Sequence, residues 1–208
     1  MALPARNSEL SPRKRRQILE GARAAFAEHG FERASVDLVA SRAGVSKATV
    51  YNHFHDKQAL FLAAFSEEAD AMRGELRGLL EGAPDGDLES VLRGVGERLV
   101  RIMVAPSNLA LFRHTVAEAC RSSTFGELLF ARGPEPVYAA LAGYLRRCQG
   151  RGKLRLDDAR AAAIQFAQLC QGELVLRAQL GITPRPSPRA VRETVRRAVR
   201  TFLAAYRA

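Results

Sequence analysis

Apolar residues recur along this chain at the three- and four-residue spacing of amphipathic helices, and no stretch shows the strict alternation of strands. Ser11-Pro12 can open a first helix whose inward stripe is Ile18, Leu19, Ala22, Ala25 and Phe26, closed by His29-Gly30. A short segment follows in which Ser35 caps and Val36, Val39, Ala40 and Ala43 share one face, and Gly44 ends it. Ser46 caps another short helix with Val50 and Phe54 inward, and Asp56 caps a long one running to about Leu80. The Gly82–Asp87 break comes next. Beyond it, Asp87 heads a helix with Leu88, Val91, Leu92, Val95, Leu99 and Ile102, and Pro106-Ser107 starts one with Leu109, Phe112, Val116 and Ala119. After a short apolar piece around Phe125–Phe130, Gly133-Pro134 opens a helix ending near Gly150–Gly152. Two long patterns close the chain, Asp157 to about Leu180 and Ser187 to Tyr206, separated by a segment with Pro184 and Pro186 that cannot be helical throughout.

The expected fold is therefore all-α. Residues 1–57 form a three-helix head with a helix-turn-helix, its first ten residues a disordered arm, and residues 58–208 a helical body beginning with a connecting helix. The stretch from Ser35 to Lys57 carries the chemistry. A left-handed corner at Gly44 and small Ala40 let two short helices cross closely, and the second leaves Lys47, Thr49, Tyr51, Asn52 and His53 outward. Lys47, Ala48 and Thr49 occupy its first turn, from which side chains reach base edges in a major groove. Tyr51, His53 and Lys57 are of the types that hold phosphates. Each residue alone reads equally as a solvated helix face; the ordered combination of small buried residues, glycine corner, caps and basic hydroxyl-bearing helix is what points to DNA.

Charge supports this without deciding it. The net formal charge of the 208 residues is +10, with ten Lys/Arg against six Asp/Glu in residues 1–57, fifteen against fifteen in 58–184, and seven against one in 185–208. A basic head suits a phosphate backbone and a neutral body does not. The arginines at the end fit the outer face of an amphipathic helix, with a second nucleic-acid surface as the other reading. The run Arg13-Lys14-Arg15-Arg16 either extends a DNA contact into an adjacent minor groove or along the backbone, or is a solvated cluster.

From Ala43 to Phe61 the sequence AGVSKATVYNHFHDKQALF, with Phe26, Gly30 and Phe31 before it, resembles the signature of the tetracycline-repressor (TetR) family of bacterial transcription regulators. The resemblance implies that Ser35, Val36 and Asp37 start the helix preceding the recognition helix. It also implies that Lys47, Ala48, Thr49, Tyr51, Asn52 and His53 meet DNA and that Lys57 binds phosphate. Asn52 stands at a variable position of the family pattern, so base specificity does not carry over. Residues 112–181 look similar to the effector domain of AcrR-like members, through Phe130, Gly133-Pro134, Tyr144-Leu145, Gly152-Lys153-Leu154, Asp157, Phe166, Gly172 and Leu180-Gly181. This implies a helical ligand-binding and dimerisation domain.

A pocket in that body would draw on Leu99, Met103, Phe112, Val116, Phe130, Tyr138 and Phe166 and would suit an apolar or aromatic effector, with Arg113 or His114 available for a polar group. Any of these residues is equally simple core. Wide apolar faces on the last two helices, including Phe166, Cys170, Leu174, Val195, Val199 and Phe202, fit either packing within one subunit or self-association, and the resemblance implies a homodimer.

The three cysteines, Cys120, Cys148 and Cys170, form no CxxC pair, which argues for a reducing compartment and against a disulfide framework; buried packing is the ordinary role and redox sensing the alternative. No apolar run has membrane-spanning length and the N-terminus lacks a signal-peptide core, so the expected location is the cytoplasm. The four histidines and three cysteines show no metal-ligand spacing, and neither a GxSxG elbow nor a phosphate-loop glycine pattern is present, so no catalytic residue, metal or cofactor is expected. The expected function is a sequence-specific regulator, a repressor released from a palindromic operator by a small effector. An architectural or activating DNA-binding protein without an effector, or a ligand-binding domain with a vestigial reading head, are the rival readings.

Overall fold

The computed structural model describes residues 11–81, 87–119, 126–127, 130–131 and 133–208, with the backbone alone for 65–73 and a few positions of 107–118. The notions of a disordered arm over residues 1–10 and a role for Cys120 lie outside the described residues, as does the side chain of His114. Among them are helices α1 (Pro12–Arg33), α2 (Val36–Ala43), α3 (Lys47–His53), α4 (Lys57–Glu81), α5 (Leu88–Met103), α6 (Pro106–Ala119), α7 (Pro134–Gly150), α8 (Ala159–Gln179) and α9 (Pro188–Tyr206). The chain divides into two compact units at Glu67/Glu68, within α4.

The first unit is held by α1. Its stripe of Ile18, Leu19, Ala22, Ala25 and Phe26 is fully buried, and Val39, Val50 and Phe54 close over it from α2, α3 and the corner after α3. Phe61 of α4 packs edge-on against Phe26 at 5.0 Å and Phe31 at 5.2 Å between ring centroids. Leu60, Phe61, Leu62 and Ala64 are buried as well, so the first turns of α4 belong to the head and the division falls ten residues beyond the 57/58 position set by the motif. Helix α1 is broken at His29-Gly30 as expected, where Gly30 leaves the helical region (φ 80°, ψ 168°), and a further turn follows to Arg33. Ser11 holds the N-cap position, but its hydroxyl makes no capping bond, leaving Pro12 as the start signal.

The second unit buries Leu92, Val95, Leu141, Leu145, Ala162, Ala163, Phe166, Cys170, Val195, Val199 and Phe202 in one core formed by α5, α7, α8 and α9. Phe166 and Phe202 meet edge-to-face at 5.2 Å. Burying a side chain of that size stabilises by about 1.5–3 kcal/mol. Caps set the helix starts: Asp87 accepts from the Ser90 amide, Ser187 from the Ala190 amide, and Asp158 rather than Asp157 from those of Arg160 and Ala161. Helix α8 is interrupted at Gly172 (φ 49°, ψ −156°), a conformation only glycine adopts readily. The chain end is tied down where the Arg155 amide donates to the Tyr206 carbonyl at 2.8 Å and Leu154 bridges Arg207. Among the described residues no helix is long and apolar enough to cross a membrane.

Five residues read as a pairing surface are therefore core of a single chain: Phe166, Cys170, Val195, Val199 and Phe202 are each no more than 1% exposed. Leu174 is partly buried against the same core. The outer faces of α8 and α9 are different residues, with Leu169, Leu176 and Leu180 exposed. An open groove of about 600 Å³ between the two helices is lined by Leu169, Leu174, Arg177, Ala190, Thr194 and Arg197 among others.

Candidate nucleic-acid interface

Two short capped helices and a glycine corner build the outward face of the head. The Ser35 hydroxyl accepts from the Leu38 amide at 3.1 Å, fixing the start of α2. Gly44 ends it in the left-handed region (φ 63°, ψ 35°), and the Val45 amide donates back to the Ala40 carbonyl at 3.0 Å. The Ser46 hydroxyl then accepts from the Thr49 amide at 3.1 Å and bonds the Thr49 hydroxyl at 2.8 Å. Val50 alone of the α3 residues is buried, so the rest of this seven-residue helix is left facing away from the core.

Ala48, Tyr51 and Asn52 are exposed, Tyr51 by 46%. Lys47 is held: its ammonium donates to the Asp37 carboxylate at 2.9 Å, and that hydrogen bond and charge raise the ammonium above the ordinary lysine range. The pair ties the first turn of α3 to the first turn of α2. Val36, expected among the groups meeting DNA, turns its side chain into the head and is 8% exposed. Behind this face Arg42 of α2 pairs with Glu28 of α1, holding that carboxyl below the usual carboxylate range.

Lys57, expected to hold a phosphate, starts α4 behind the Asp56 cap, whose carboxylate accepts from the Ala59 amide at 2.6 Å. Its ammonium donates to the Glu32 carbonyl at 3.0 Å and lies 4.5 Å above the Phe31 ring. The side chain thus clamps the end of α1 to the start of α4 as well as carrying charge.

His53 ends α3, and its imidazole is pushed below the ordinary histidine value by burial, then by the charges of Arg15 and Lys14. The Arg15 guanidinium lies 5.6 Å from the centroid of the neighbouring Phe54 ring. The first turn of α1 is therefore beside the last turn of α3, a juxtaposition that no local pattern in the chain signals.

The residues read as a ligand pocket differ in exposure among the described residues. Leu99 and Phe166 are closed core, Met103 and Tyr138 pack partly buried on its edge, and Phe112, Val116 and Phe130 are 42–49% exposed. The rings of Phe130 and Tyr138 meet, with centroids 6.3 Å apart. Arg113 is committed elsewhere, donating to the Gln179 and Ala178 carbonyls at 2.9 and 3.2 Å and so capping the end of α8. Among the described residues no three His, Cys, Asp or Glu side chains are grouped to hold a metal.

Residues 18–64 match the family described as bacterial regulatory proteins of the tetR family, and residues 90–208, more than half the chain, match the AefR-like transcriptional repressor C-terminal domain. The chain belongs to the TetR family of transcription regulators. Its second unit carries the AefR-like form of the family's C-terminal domain. The head is similar to the HTH-type transcriptional repressor AcnR of Corynebacterium diphtheriae, 50% identical over 66 residues, 32% of this chain and 34% of that protein. The chain matches between 32% and 40% of the length of the AcnR repressors and of the HTH-type transcriptional repressor Rv1474c of Mycobacterium tuberculosis. Over nearly its whole length it superposes on a TetR-family regulator from Mesorhizobium loti, with a TM-score of 0.88 and 27% identity over 97% of this chain and 100% of that one. The flavonoid-responsive regulator FrrA follows with 0.74 and 29% over 95% and 98%. Membership of this TetR family, whose members are regulators, sets the chain apart from enzymes.

Proposed function

We propose that this protein is a cytoplasmic, sequence-specific transcriptional repressor that binds a palindromic operator as a homodimer and is released by a small apolar or aromatic effector. The observation that carries the reading is the face of α3, where Lys47, Ala48, Tyr51 and Asn52 stand outward between two caps and a left-handed corner. Side chains of this reach and chemistry suit base edges and phosphates of a major groove, and two such helices about 34–36 Å apart would enter successive grooves. Pairing through α8 and α9 would use their outer faces, Leu169, Leu176, Thr194 and Arg197, rather than the buried stripe.

Effector binding in the second unit would favour a conformation whose two heads no longer match the operator spacing. Linkage then requires the operator to weaken effector binding by the same factor. The head's similarity to AcnR-type repressors and the AefR-like second unit support repression over activation.

A footprint on the DNA flanking the protein's own gene, at near-physiological salt with excess random competitor, tests the reading. The expected result is a protected palindrome. Equal protection of random and flanking duplexes would replace it with an architectural role, and binding to no duplex would remove the DNA function altogether.

A further inference from the structure

The last turn of a helix is an unpromising place for a phosphate, because the aligned peptide dipoles put about half a negative charge there. In α3 that end is occupied by His53, whose ring the lowered pKa keeps neutral near pH 7, so α3 supplies no cation of its own at this point. The cations come from α1. Lys14 and Arg15 stand one turn before Ile18 and Leu19, both fully buried, so Arg15 continues the inward stripe of α1 and Lys14 lies at its border. Their charges act on the His53 ring, and the Arg15 guanidinium lies 5.6 Å from the Phe54 ring centroid. Both side chains are nevertheless exposed. Arg13 and Arg16, of the same run, sit on the opposite side of the helix with Gln17 and Glu20.

We propose that Lys14 and Arg15 form, with His53, a phosphate clamp that grips the DNA backbone bordering the groove entered by α3, whereas Arg13 and Arg16 are solvated. This rests on the DNA-binding reading above and adds two backbone-contacting residues from a helix outside the helix-turn-helix. The clamp carries no sequence information; it fixes how deeply and at what angle α3 lies. The cation–π contact with Phe54, 5.6 Å to the ring centroid, restrains the guanidinium of Arg15 before DNA arrives, which lowers the ordering cost of the contact.

The test uses the full-length protein and the duplex it enriches from a random-sequence pool, with affinity measured between 50 and 300 mM potassium salt. The double variant Lys14→Gln/Arg15→Gln should make the slope of log affinity against log salt shallower by about two, and weaken enriched and scrambled duplexes by the same factor. Arg13→Gln/Arg16→Gln removes the same net charge and should leave the slope within about half a unit of wild type. Lys14→Gln alone, which leaves the Arg15 contact with Phe54 intact, should shift the slope by about one without lowering the melting temperature. Equal losses in the two double variants, or an unchanged slope in Lys14→Gln/Arg15→Gln, would overturn the clamp while leaving sequence-specific binding intact. A wild-type protein that enriches no duplex would overturn the DNA-binding reading and the clamp with it.

Discussion

Lys47 and Asp37 form an ion pair across the α2–α3 corner, ammonium to carboxylate at 2.9 Å, and the pair sits on the outward face of the head. A carboxylate so near a polyanion is unfavourable on its own; paired, it aims the lysine instead. Asp37→Asn should therefore raise affinity for random duplex while relaxing preference at the base positions that Lys47→Ala also relaxes. Competition binding between operator and scrambled duplex measures this as a several-fold fall in their affinity ratio. Retained discrimination in Asp37→Asn would show that the lysine needs no aiming.

Lys57 couples two roles that its sequence position does not separate. Its bond to the Glu32 carbonyl and its place over Phe31 hold α1 to α4, so Lys57→Ala should lower stability by roughly 1–2 kcal/mol as well as weaken all DNA sequences alike. Lys57→Met should keep much of the packing and lose the charge. Urea unfolding with salt-dependent binding separates the two effects.

His53 makes the head sensitive to acid. Its folded pKa lies below its unfolded value of about 6.5, so the native state resists a proton that the unfolded chain accepts. No penalty exists well above the unfolded value. It sets in as pH falls through that value and is complete below the folded one. Between pH 7.5 and pH 5 the melting temperature of His53→Gln should therefore fall less than that of wild type.

Gly21 lies where α1 crosses α2, and a methyl added there would stand 3.0 Å from the Ala43 amide nitrogen and 3.1 Å from the Val39 carbonyl oxygen. Both neighbours are backbone and cannot turn aside. Gly21→Ala should destabilise by roughly 1–3 kcal/mol despite the better helix propensity of alanine. Gly78→Ala, with open space around it, should be neutral or slightly stabilising. Chemical denaturation of the two variants compares them directly.

Burial pushes the Cys170 thiol up to about 12, so at pH 8 only about one thiol in ten thousand is ionised. Cys148 is buried too. Neither should be alkylated by iodoacetamide in the native protein within an hour, and both should be alkylated in urea, as peptide mass spectrometry would show. Rapid native labelling of Cys170 would revive the redox-sensing alternative.

What was legible in the sequence is what local chemistry decides. Ser35, Ser46, Asp56, Asp87 and Ser187 each cap the helix they precede, because a side-chain oxygen three residues ahead of an unpaired amide needs no distant partner. The outward residues of α3 follow from its caps and one buried valine. Gly30 likewise breaks the helix where the local pattern places its end, whereas the further turn to Arg33, with Phe31 packed on Phe26 and Phe61, depends on distant partners. Apolar period gives a face and never names what covers it, which is why Phe166, Cys170, Val195, Val199 and Phe202 suited a pairing surface as well as the core they form. The closeness of Lys14 and Arg15 to His53 joins positions nearly forty residues apart, which no local pattern reports.

The interruption of α8 at Gly172 bears on how strain moves through the second unit. A continuous helix behaves as a stiff rod, so that a twist applied at one end appears at the other. With the backbone hydrogen-bond ladder broken at Gly172, the half from Ala159 to Gln171 and the half from Glu173 to Gln179 can rotate about their axes by different amounts. The face that Leu176 presents is thus set by the second half alone and not by the register of the first.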